Sequence, residues 1–502
     1  MTSTSILSRL APRGQFAAVF PGWVAPRTPP PANLHDLAQN PAAWPRFVRE
    51  SALARRYLDL LGPLAWDRFP ERDLQPEWGR PVIPYAAFAA ACLVQLDLQL
   101  THMSQLHQLL LEHPALMWVL RFPLVPARGT PEGFDSAASL PTHRHFTRLL
   151  RCCPNAALQF LLDDTVRLLQ AELASEVDDF GQCVSLDTKH ILAWVQENNP
   201  KAYLKNSARY DKTRQPQGDP DCRLGCKRRH NQIVAAAEPP TPTSNPVPAH
   251  TISIGEFYWG YASGVVATKV PGWGEFVLAE LTQPFDRPDV AYFFPLLREV
   301  ERRLGFRPHY GALDAAFDAF YVYEYFYQPG EEGFAAVPFV QRGGHRKAFA
   351  ADGRPLCAAG LPMPLKYTFV NRSGLVEHEC GRYACPLFFP EETGQPCPGN
   401  HEQAAKGGCT TTLATSPGAR LRYQLDRESA AYKKIYQQRT ATERINSQAV
   451  ELGIERPKLR NGPAIANRNT LIYVLINLRA LQRIRQEKAR RQREALAGSP
   501  AV

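Results

Sequence analysis

The spacing of apolar residues divides the chain into a helical first third and a mixed middle. Between about residues 45 and 175, apolar residues recur at i, i+3 and i+4, as in AAFAAACLVQLDLQLTHMSQLHQLLLEH and NAALQFLLDDTVRLLQAEL. This period is typical of amphipathic helices. A proline-rich stretch, VAPRTPPPA, precedes them. We therefore assign residues 1–175 to a helical N-terminal region.

From residue 181 the pattern changes to short β-runs, and each of the last two runs follows a helical segment. The first three predicted strands are followed by an amphipathic helix, a strand, a second helix and a last strand. The predicted strands are GQCVSLD, EFYWGYASGVVATK, EFVLAEL, PHYGALD and FAAVPFVQ. The predicted order is therefore β-β-β-α-β-α-β, which places the chain in the α/β class with a mixed sheet.

Three further stretches complete the predicted organisation. Residues 201–250 are polar, basic and proline-bearing, which predicts a long surface loop. Residues 350–420 are rich in Gly, Pro and Cys with weak periodicity, which is typical of an insertion. Helical pattern returns from residue 421 and ends in a basic tail. The predicted regions after the helical one are thus 176–349, 350–420 and 421–502.

Charge and cysteine content narrow the class of protein. The formal net charge is +10, which favours a polyanionic partner, although a basic enzyme without a nucleic-acid role fits the same charge. Eleven cysteines in 502 residues do not make a disulfide scaffold. The N-terminus carries no secretory signal pattern, and the apolar run PYAAFAAACLVQLDLQL is short and interrupted by Asp97. We expect a cytoplasmic protein with no membrane partner.

Three carboxylates stand out by their positions in this pattern. Asp187 and Asp314 end predicted strands, and Glu443 shares a helix face with Tyr436 and Arg439. Phosphoryl transfer on DNA uses two divalent ions held close together, and Mg²⁺ prefers a few carboxylates with water and phosphate oxygens. Two strand ends and one helix can supply such a ligand set.

Each of these acids also has an ordinary structural interpretation. An aspartate that follows a strand is commonly a turn or capping residue. Asp318, one helical turn beyond Asp314, competes with it for the same role. For Glu443, a surface ion pair with Arg439 is the default interpretation of an i, i+4 spacing.

The order and context of these motifs resemble a known family, the DDE transposases of bacterial insertion sequences. One subgroup carries the signature Tyr-x2-Arg-x3-Glu-x6-Lys, and YQQRTATE matches its first three positions as Tyr436, Arg439 and Glu443. SLDTKH and GALDAAFD resemble the two aspartate strands, and DPDCRLGCK and NRNTLIYVLINLRAL also resemble such transposases. The resemblance covers roughly residues 140–485. It implies an RNase H-like catalytic domain.

The resemblance also implies residue roles. Asp187, Asp314 and Glu443 would be catalytic and hold two Mg²⁺ or Mn²⁺ ions. Arg439 would contact a DNA phosphate, because its guanidinium can bind phosphate with two hydrogen bonds, and Tyr436 would pack against the same strand.

One position departs from the signature. The expected lysine falls at residue 450, which is Val450. Arg444, Arg456 or Lys458 are the candidates to supply the missing phosphate contact, and Arg444 and Lys458 are the DNA-binding residues that we select. The carboxylate triad does not depend on this lysine.

The implied activity is Mg-dependent cleavage of double-stranded DNA at the ends of an insertion sequence, followed by strand transfer to target DNA. The N-terminal helices and the basic tail would contact DNA, a homodimer would pair two ends, and the protein would associate with the bacterial nucleoid in the cytoplasm. Two alternatives stay open: a transposase-derived DNA-binding protein without catalysis, and an RNase H-like nuclease that cuts without joining.

The cysteines of the insertion predict a second metal site. Zinc in a structural site takes four thiolate or imidazole ligands, which would stabilise a segment with little core. We select Cys357, Cys385, Cys397 and Cys409 as the ligands, each near Gly or Pro or in a turn. No C-x2-C knuckle is present, so scattered free thiols are the alternative.

Overall fold

The computed structural model describes residues 33–74, 82–234, 250–330, 332–340, 347–373 and 376–497. The chain is mixed α/β, with helices packed on a mixed sheet. The described helices are α1 (Leu34–Gln39), α2 (Arg46–Glu50), α3 (Ala52–Leu61), α4 (Tyr85–Asp97), α5 (Met103–Glu112), α6 (Pro114–Val119), α7 (Ser136–Ser139), α8 (His143–Cys152), α9 (Asn155–Leu173), α10 (Asn206–Arg209), α11 (Phe293–Leu304), α12 (Phe320–Phe326), α13 (Pro417–Gln424), α14 (Ala430–Tyr436), α15 (Thr440–Glu451) and α16 (Gly462–Ala497).

The described strands form a two-stranded, a six-stranded and a three-stranded sheet. The strands are β1 (Val125–Pro126), β2 (Phe134–Asp135), β3 (Cys183–Leu192), β4 (Arg223–Val234), β5 (His250–Val270), β6 (Gly274–Pro284), β7 (Tyr310–Leu313), β8 (Phe334–Ala336), β9 (Leu365–Asn371), β10 (His378–Ala384) and β11 (Thr410–Ala414). Among the described helices, none has both the length and the apolar character that crossing a membrane requires.

The six-stranded sheet is organised around the long strand β5. Its second half pairs with β3 and with β6, both antiparallel, and its first half pairs antiparallel with β4. Strand β7 runs parallel to β3, and β8 runs parallel to β7. The sheet is therefore mixed, as predicted, because the β5–β6 hairpin supplies antiparallel pairs and the helical connections supply parallel ones.

Helices cover the sheet and bury its apolar residues. The long helix α16 packs on β6 and on α9, and α15 packs on β3, β5 and β6. The amide of Asn477 on α16 is paired within this contact: it donates to the Val277 carbonyl (2.8 Å) and accepts from the Val277 amide (2.9 Å). These bonds fix α16 against β6, since a buried amide without partners is costly.

The predicted loop at 201–250 is wrong over Arg223–Val234, which forms strand β4. This stretch is basic and has few apolar residues, so it lacks the alternation that identifies a strand. It lies at the border of the sheet, where charged side chains are common because one strand side has no partner. Residues 235–249 of the predicted loop lie outside the described residues.

The predicted insertion contains the antiparallel sheet β9–β10–β11. Its own core is small, consisting of Met363, Tyr383 and Leu413 with a few partly buried neighbours. Strand β9 is exposed along almost its whole length, yet Leu365, Tyr367 and Phe369 alternate with Lys366 and Thr368, so a short strand signal was present within the predicted insertion.

The expected single helix from Tyr436 to Glu443 is also wrong in detail. Helix α14 ends at Tyr436, a tight 3₁₀ turn follows over Gln437–Arg439, and α15 begins at Thr440. The Thr440 hydroxyl donates to the Gln437 carbonyl (2.9 Å) and the Thr442 hydroxyl to the Arg439 carbonyl (3.0 Å). Such side-chain bonds to the preceding turn compete with regular helix bonding.

Candidate functional site

The two predicted strand aspartates lie next to each other. The parallel pairing of β3 with β7 ends at Leu186 and Leu313, and Asp187 and Asp314 are the next residues of the two strands. Neighbouring strands lie about 4.8 Å apart. Asp187 does not end its strand as expected, because β3 continues to Leu192 in antiparallel pairing with β5. Asp314 does follow its strand, and caps the 3₁₀ helix after it through the Ala316 amide (2.9 Å).

A third carboxylate, Asp289, joins them. It begins the 3₁₀ helix Asp289–Tyr292 that leads into α11. Its carboxylate accepts a hydrogen bond from the Thr188 hydroxyl (2.7 Å), which fixes it beside β3. Asp289 and Asp314 also line one cavity of about 1040 Å³.

The three acids lie close enough to repel one another, and each is partly buried. Burial raises the pKa of Asp187 to about 6, with a further increase from the negative charges of Asp314 and Asp289. Burial, with the charge of Asp289, also raises the pKa of Asp314. Arg439 opposes both shifts. Acids held close together in this way are a common feature of metal and catalytic sites, since a bound cation relieves their repulsion.

Helix α15 contributes an amide to this cluster. Asn446 is 8% exposed, and its Nδ2 donates to Asp187 Oδ2 (3.1 Å). Its Oδ1 is buried and has no hydrogen-bond partner among the described residues. A buried amide oxygen without a partner costs free energy. The Asn446 oxygen is therefore an available ligand for a cation beside Asp187.

Glu443 lies one helical turn before Asn446 on α15. Its carboxylate forms an ion pair with the Arg439 guanidinium and is about half exposed. Arg439 also lies over the Tyr436 ring at 5.9 Å, and Tyr436 stacks on Tyr432. The structure brings Tyr436, Arg439 and Glu443 together through the i, i+4 ion pair that is the ordinary structural interpretation of this spacing, and the charge of Arg439 also acts on Asp187 and Asp314.

The described residues contain no group of three or more His, Cys, Asp or Glu side chains that is already placed to hold one metal ion. The two strand aspartates are near each other, whereas Glu443 faces Arg439.

Asp318, the competitor of Asp314, has a different environment. It is 3% exposed and forms a two-point ion pair with Arg422, with distances of 2.9 and 2.6 Å. It also accepts from the Tyr323 hydroxyl (2.9 Å) and the Val340 amide (2.8 Å). Because its carboxylate accepts four hydrogen bonds inside the protein, Asp318 has a structural role. Asp314 is then the carboxylate available in this loop.

The predicted DNA contacts are separated in the structure. Arg444 pairs with Glu275 of β6 at 2.5 Å, and Lys458 lies beyond α15 in a groove near the end of β3. Val450, at the position of the signature lysine, is 38% exposed on α15. The structure therefore does not assemble Arg444 and Lys458 with the carboxylates.

Three of the four predicted zinc ligands lie near one another. The thiols of Cys385 and Cys409 are hydrogen-bonded, and burial together with Cys385 and Cys357 raises the pKa of Cys409 to about 12. Cys397 has a different environment, in which backbone amides of His401 and Gly399 lower its pKa.

The turn that follows Cys397 lies against the turn that follows Cys357. A Cβ added to Gly399 would lie 3.3 Å from the Ala359 Cβ. The Leu361 amide donates to the Cys357 sulfur at 3.4 Å, so both turns direct backbone amides at a cysteine. Amides directed at sulfur stabilise a thiolate, which is the form that binds metal.

Two residues at the site were missed from the sequence. Asp289 belongs to a segment that was predicted as ordinary helix, and Asn446 lies three residues after Glu443 within the matched motif. The i, i+3 spacing of Glu443 and Asn446 was the available signal for Asn446. No local signal identifies Asp289, since only the fold brings the start of α11 to β3.

Comparison with known proteins adds nothing to this geometry, as no family model, no curated protein and no solved structure matches the chain.

Proposed function

We propose that this protein is a DDE transposase that cuts DNA at the ends of its insertion sequence and joins the freed 3′ ends to target DNA, with Mg²⁺ or Mn²⁺ as the cofactor. The observation that carries the proposal is the adjacency of Asp187 and Asp314 on parallel strands, with the Tyr436–Arg439–Glu443 motif beside them. This is the arrangement that the sequence resemblance implies.

The order of the strands supports an RNase H-like assignment for the sheet. Taking β3, β5, β6, β7 and β8 as strands one to five, their order across the sheet is 3-2-1-4-5. The first three are antiparallel, and strands four and five are parallel to the first. The resemblance implies catalytic aspartates on the strands of SLDTKH and GALDAAFD, which are the first and fourth strands in this order.

The donor set fits a hard divalent cation. Carboxylates and an amide oxygen are the ligand types that Mg²⁺ accepts, and Asp187, Asp314, Asp289 and Asn446 supply them. When bound, such ions activate the attacking oxygen and stabilise the leaving oxygen of the phosphodiester. The raised pKa values of Asp187 and Asp314 mean that protons compete with metal there.

The ion pair between Arg439 and Glu443 gives the third carboxylate a defined position before DNA binds. In the proposal, a DNA phosphate takes over the Arg439 guanidinium, because phosphate is a strong two-point partner for arginine. The Glu443 side chain then turns toward Asp187, which contacts α15 one helical turn further along, at Asn446. The side chains of Arg439 and Glu443 are partly exposed, so this exchange requires no opening of the core.

The test is a cleavage reaction on a plasmid that carries the DNA flanking the coding sequence, with Mg²⁺ and purified protein. The proposal expects nicked and joined products, and loss of both in Asp187→Ala while DNA binding is kept. Cleavage without joined products supports the nuclease alternative. Binding without cleavage supports the inactive DNA-binding alternative.

Structural zinc in the insertion belongs to the same proposal. The small core around Met363 gives the insertion little apolar stabilisation, and a tetrahedral ion held by Cys357, Cys385, Cys397 and Cys409 would stabilise it. About one zinc per chain is expected by elemental analysis after purification without chelator. A Cys409→Ser variant that keeps the full zinc content would exclude this ligand set.

A further inference from the structure

A groove lies at the C-terminal end of β3, beyond the part of the strand where Asp187 contacts Asn446 of α15. It has a volume of about 850 Å³ and is lined by residues that follow β3, by the middle of β5 and by the segment after α15. Three exposed aromatic side chains line it: Trp194 (49% exposed), Tyr210 (42%) and Phe257 (47%). Exposed aromatics grouped in one groove are unusual on a protein surface and indicate a binding site.

The other lining side chains are mainly basic. Arg456, Lys458 and Arg460 are exposed along one border of the groove, and the acids of the lining are Glu197 and Glu256. A fourth cation, Arg209, is occupied by backbone carbonyl groups. The groove therefore combines aromatic faces with a net positive charge.

The walls are fixed before any ligand binds. Asn198 donates to the carbonyls of Ala193 (2.8 Å) and Trp259 (2.7 Å) and accepts from the Trp259 amide (2.9 Å). Arg209 donates to the Glu197 carbonyl at 2.5 Å. These bonds hold the segment after β3 against β5. A preformed site of this kind loses little free energy to ordering when a ligand binds.

We infer that this groove binds unpaired nucleotides of a DNA strand, with bases stacked on Trp194, Tyr210 and Phe257 and phosphates held by Arg456, Lys458 and Arg460. Aromatic platforms beside a positively charged track are the general means of holding single-stranded DNA, since every base has a face that can stack. The rings of Tyr210 and Phe257 lie with their centroids 6.3 Å apart at an interplanar angle of 55°, and exposed aromatic rings can stack on any base.

The position of the groove suits a strand that leaves the carboxylates. Leu192 lines the groove and lies five residues beyond Asp187 on the same strand, which corresponds to about 17 Å. The Leu192 amide donates to the Glu455 carbonyl at 2.9 Å, which joins the basic segment to β3. This part of the inference rests on the proposed function, because it takes DNA cleavage to occur at Asp187 and Asp314.

The test measures fluorescence anisotropy with a labelled 15-nucleotide oligo(dT) and with a labelled 15-base-pair duplex. In Trp194→Ala we expect single-strand affinity to fall about 5-fold to 100-fold, which is the loss of one stacked base, with duplex affinity within 2-fold of the wild type. The matched control is Tyr367→Ala, which removes an aromatic side chain of similar exposure (52%) from β9 and is expected to change neither affinity.

The outcomes separate this inference from the proposed function. Unchanged oligo(dT) affinity in Trp194→Ala overturns the groove, whatever the wild type does to plasmid DNA. An equal loss for duplex and oligo(dT) also overturns it, because stacking on unpaired bases would not weaken duplex binding. Selective loss in a protein that does not cleave DNA supports the groove and contradicts the transposase. A Trp194→Phe variant that restores most of the affinity excludes misfolding as the cause.

Discussion

Two regions of this molecule bury acids in opposite ways. In the helical region, Asp97 is surrounded by cations and donors: Arg56 (2.5 Å), Arg479 (2.7 Å) and the Tyr57 hydroxyl (3.0 Å). At the sheet, Asp187 and Asp314 lie beside another acid, and their strongest neighbouring charges are of the same sign except for Arg439. A paired buried acid holds elements together, whereas unpaired acids in a group cost stability and indicate function.

The same contrast appears within one loop, between Asp314 and Asp318. We expect Asp314→Asn to lower the rate of DNA cleavage by about 1000-fold or more, since it replaces a carboxylate of the proposed metal site with a neutral amide. We expect little change in thermal unfolding. The matched change Asp318→Asn breaks the ion pair with Arg422 (2.6 Å) and is expected to destabilise the fold by about 3 kcal/mol. Equal effects of the two changes on cleavage and on unfolding would contradict the division of roles.

Removal of the paired acid in the helical region tests the other side of the comparison. Asp97→Ala leaves Arg56 and Arg479 without their partner and the Tyr57 hydroxyl without an acceptor. Since both arginines reach solvent in part, we expect a loss of about 2–4 kcal/mol in unfolding free energy, measured by chemical denaturation. As a control, Asp67→Ala removes an exposed acid whose Arg68 contact is only 4.0 Å and is expected to change stability by less than about 0.5 kcal/mol.

The folding stability contributed by Asp187 should depend on pH with the opposite sign to that of a carboxylate in an ion pair. The folded state raises the pKa of Asp187 to about 6, above its value in an unfolded chain, so the folded protein binds the extra proton. The stabilisation from this group is therefore complete below about pH 4 and is lost as the pH rises through about 6.

Asp187→Asn removes this ionisation. Without metal, we expect the variant to be more stable than the wild type at pH 7.5, by up to about 3 kcal/mol, and the difference to shrink toward pH 5. Added Mg²⁺ should raise the melting temperature of the wild type at pH 7.5 and leave the variant unchanged. A variant less stable than the wild type at pH 7.5 without metal would show that Asp187 is not under electrostatic strain.

The smallest expected effect concerns the position where the signature lysine is replaced. Val450 is partly exposed on α15, so Val450→Lys should change stability by less than about 0.5 kcal/mol. We expect it to strengthen duplex binding about 2-fold to 5-fold and to steepen the dependence of binding on salt by about one phosphate contact. The exposed Glu451→Gln at the next position is the control, because it also raises the net charge by one, on a different side of the helix; equal gains would indicate a general charge effect.

The basic tail shows the difference between formal charge and available charge. Its contact with DNA stays a prediction, and several of its cations pair within the protein. Arg479 binds Asp97, and Arg485 and Lys488 contact Glu172 of α9. The formal charge of a segment does not state which of its side chains are available to a partner, since pairing depends on contacts between distant residues.

The sequence by itself predicted the helices that the structure describes between residues 34 and 173, most strands of the mixed sheet and the candidate residues Asp187, Asp314 and Glu443, because these follow from local periodicity and a short motif. It did not predict β4, whose basic residues hide the strand pattern, or the sheet of the insertion, whose short strands lie in a segment rich in Gly, Pro and Cys.

Only the tertiary structure decided which acids share a site. The parallel register of β3 and β7 places Asp187 beside Asp314, the start of α11 brings Asp289 to them, and the packing of α15 directs Asn446 onto Asp187. It also separated Asp314 from Asp318, which lies four residues away and is fully paired with Arg422 and its neighbours. Local sequence sets what each residue can do, but the partners that fix the charge and role of a buried acid come from elements far apart in the chain.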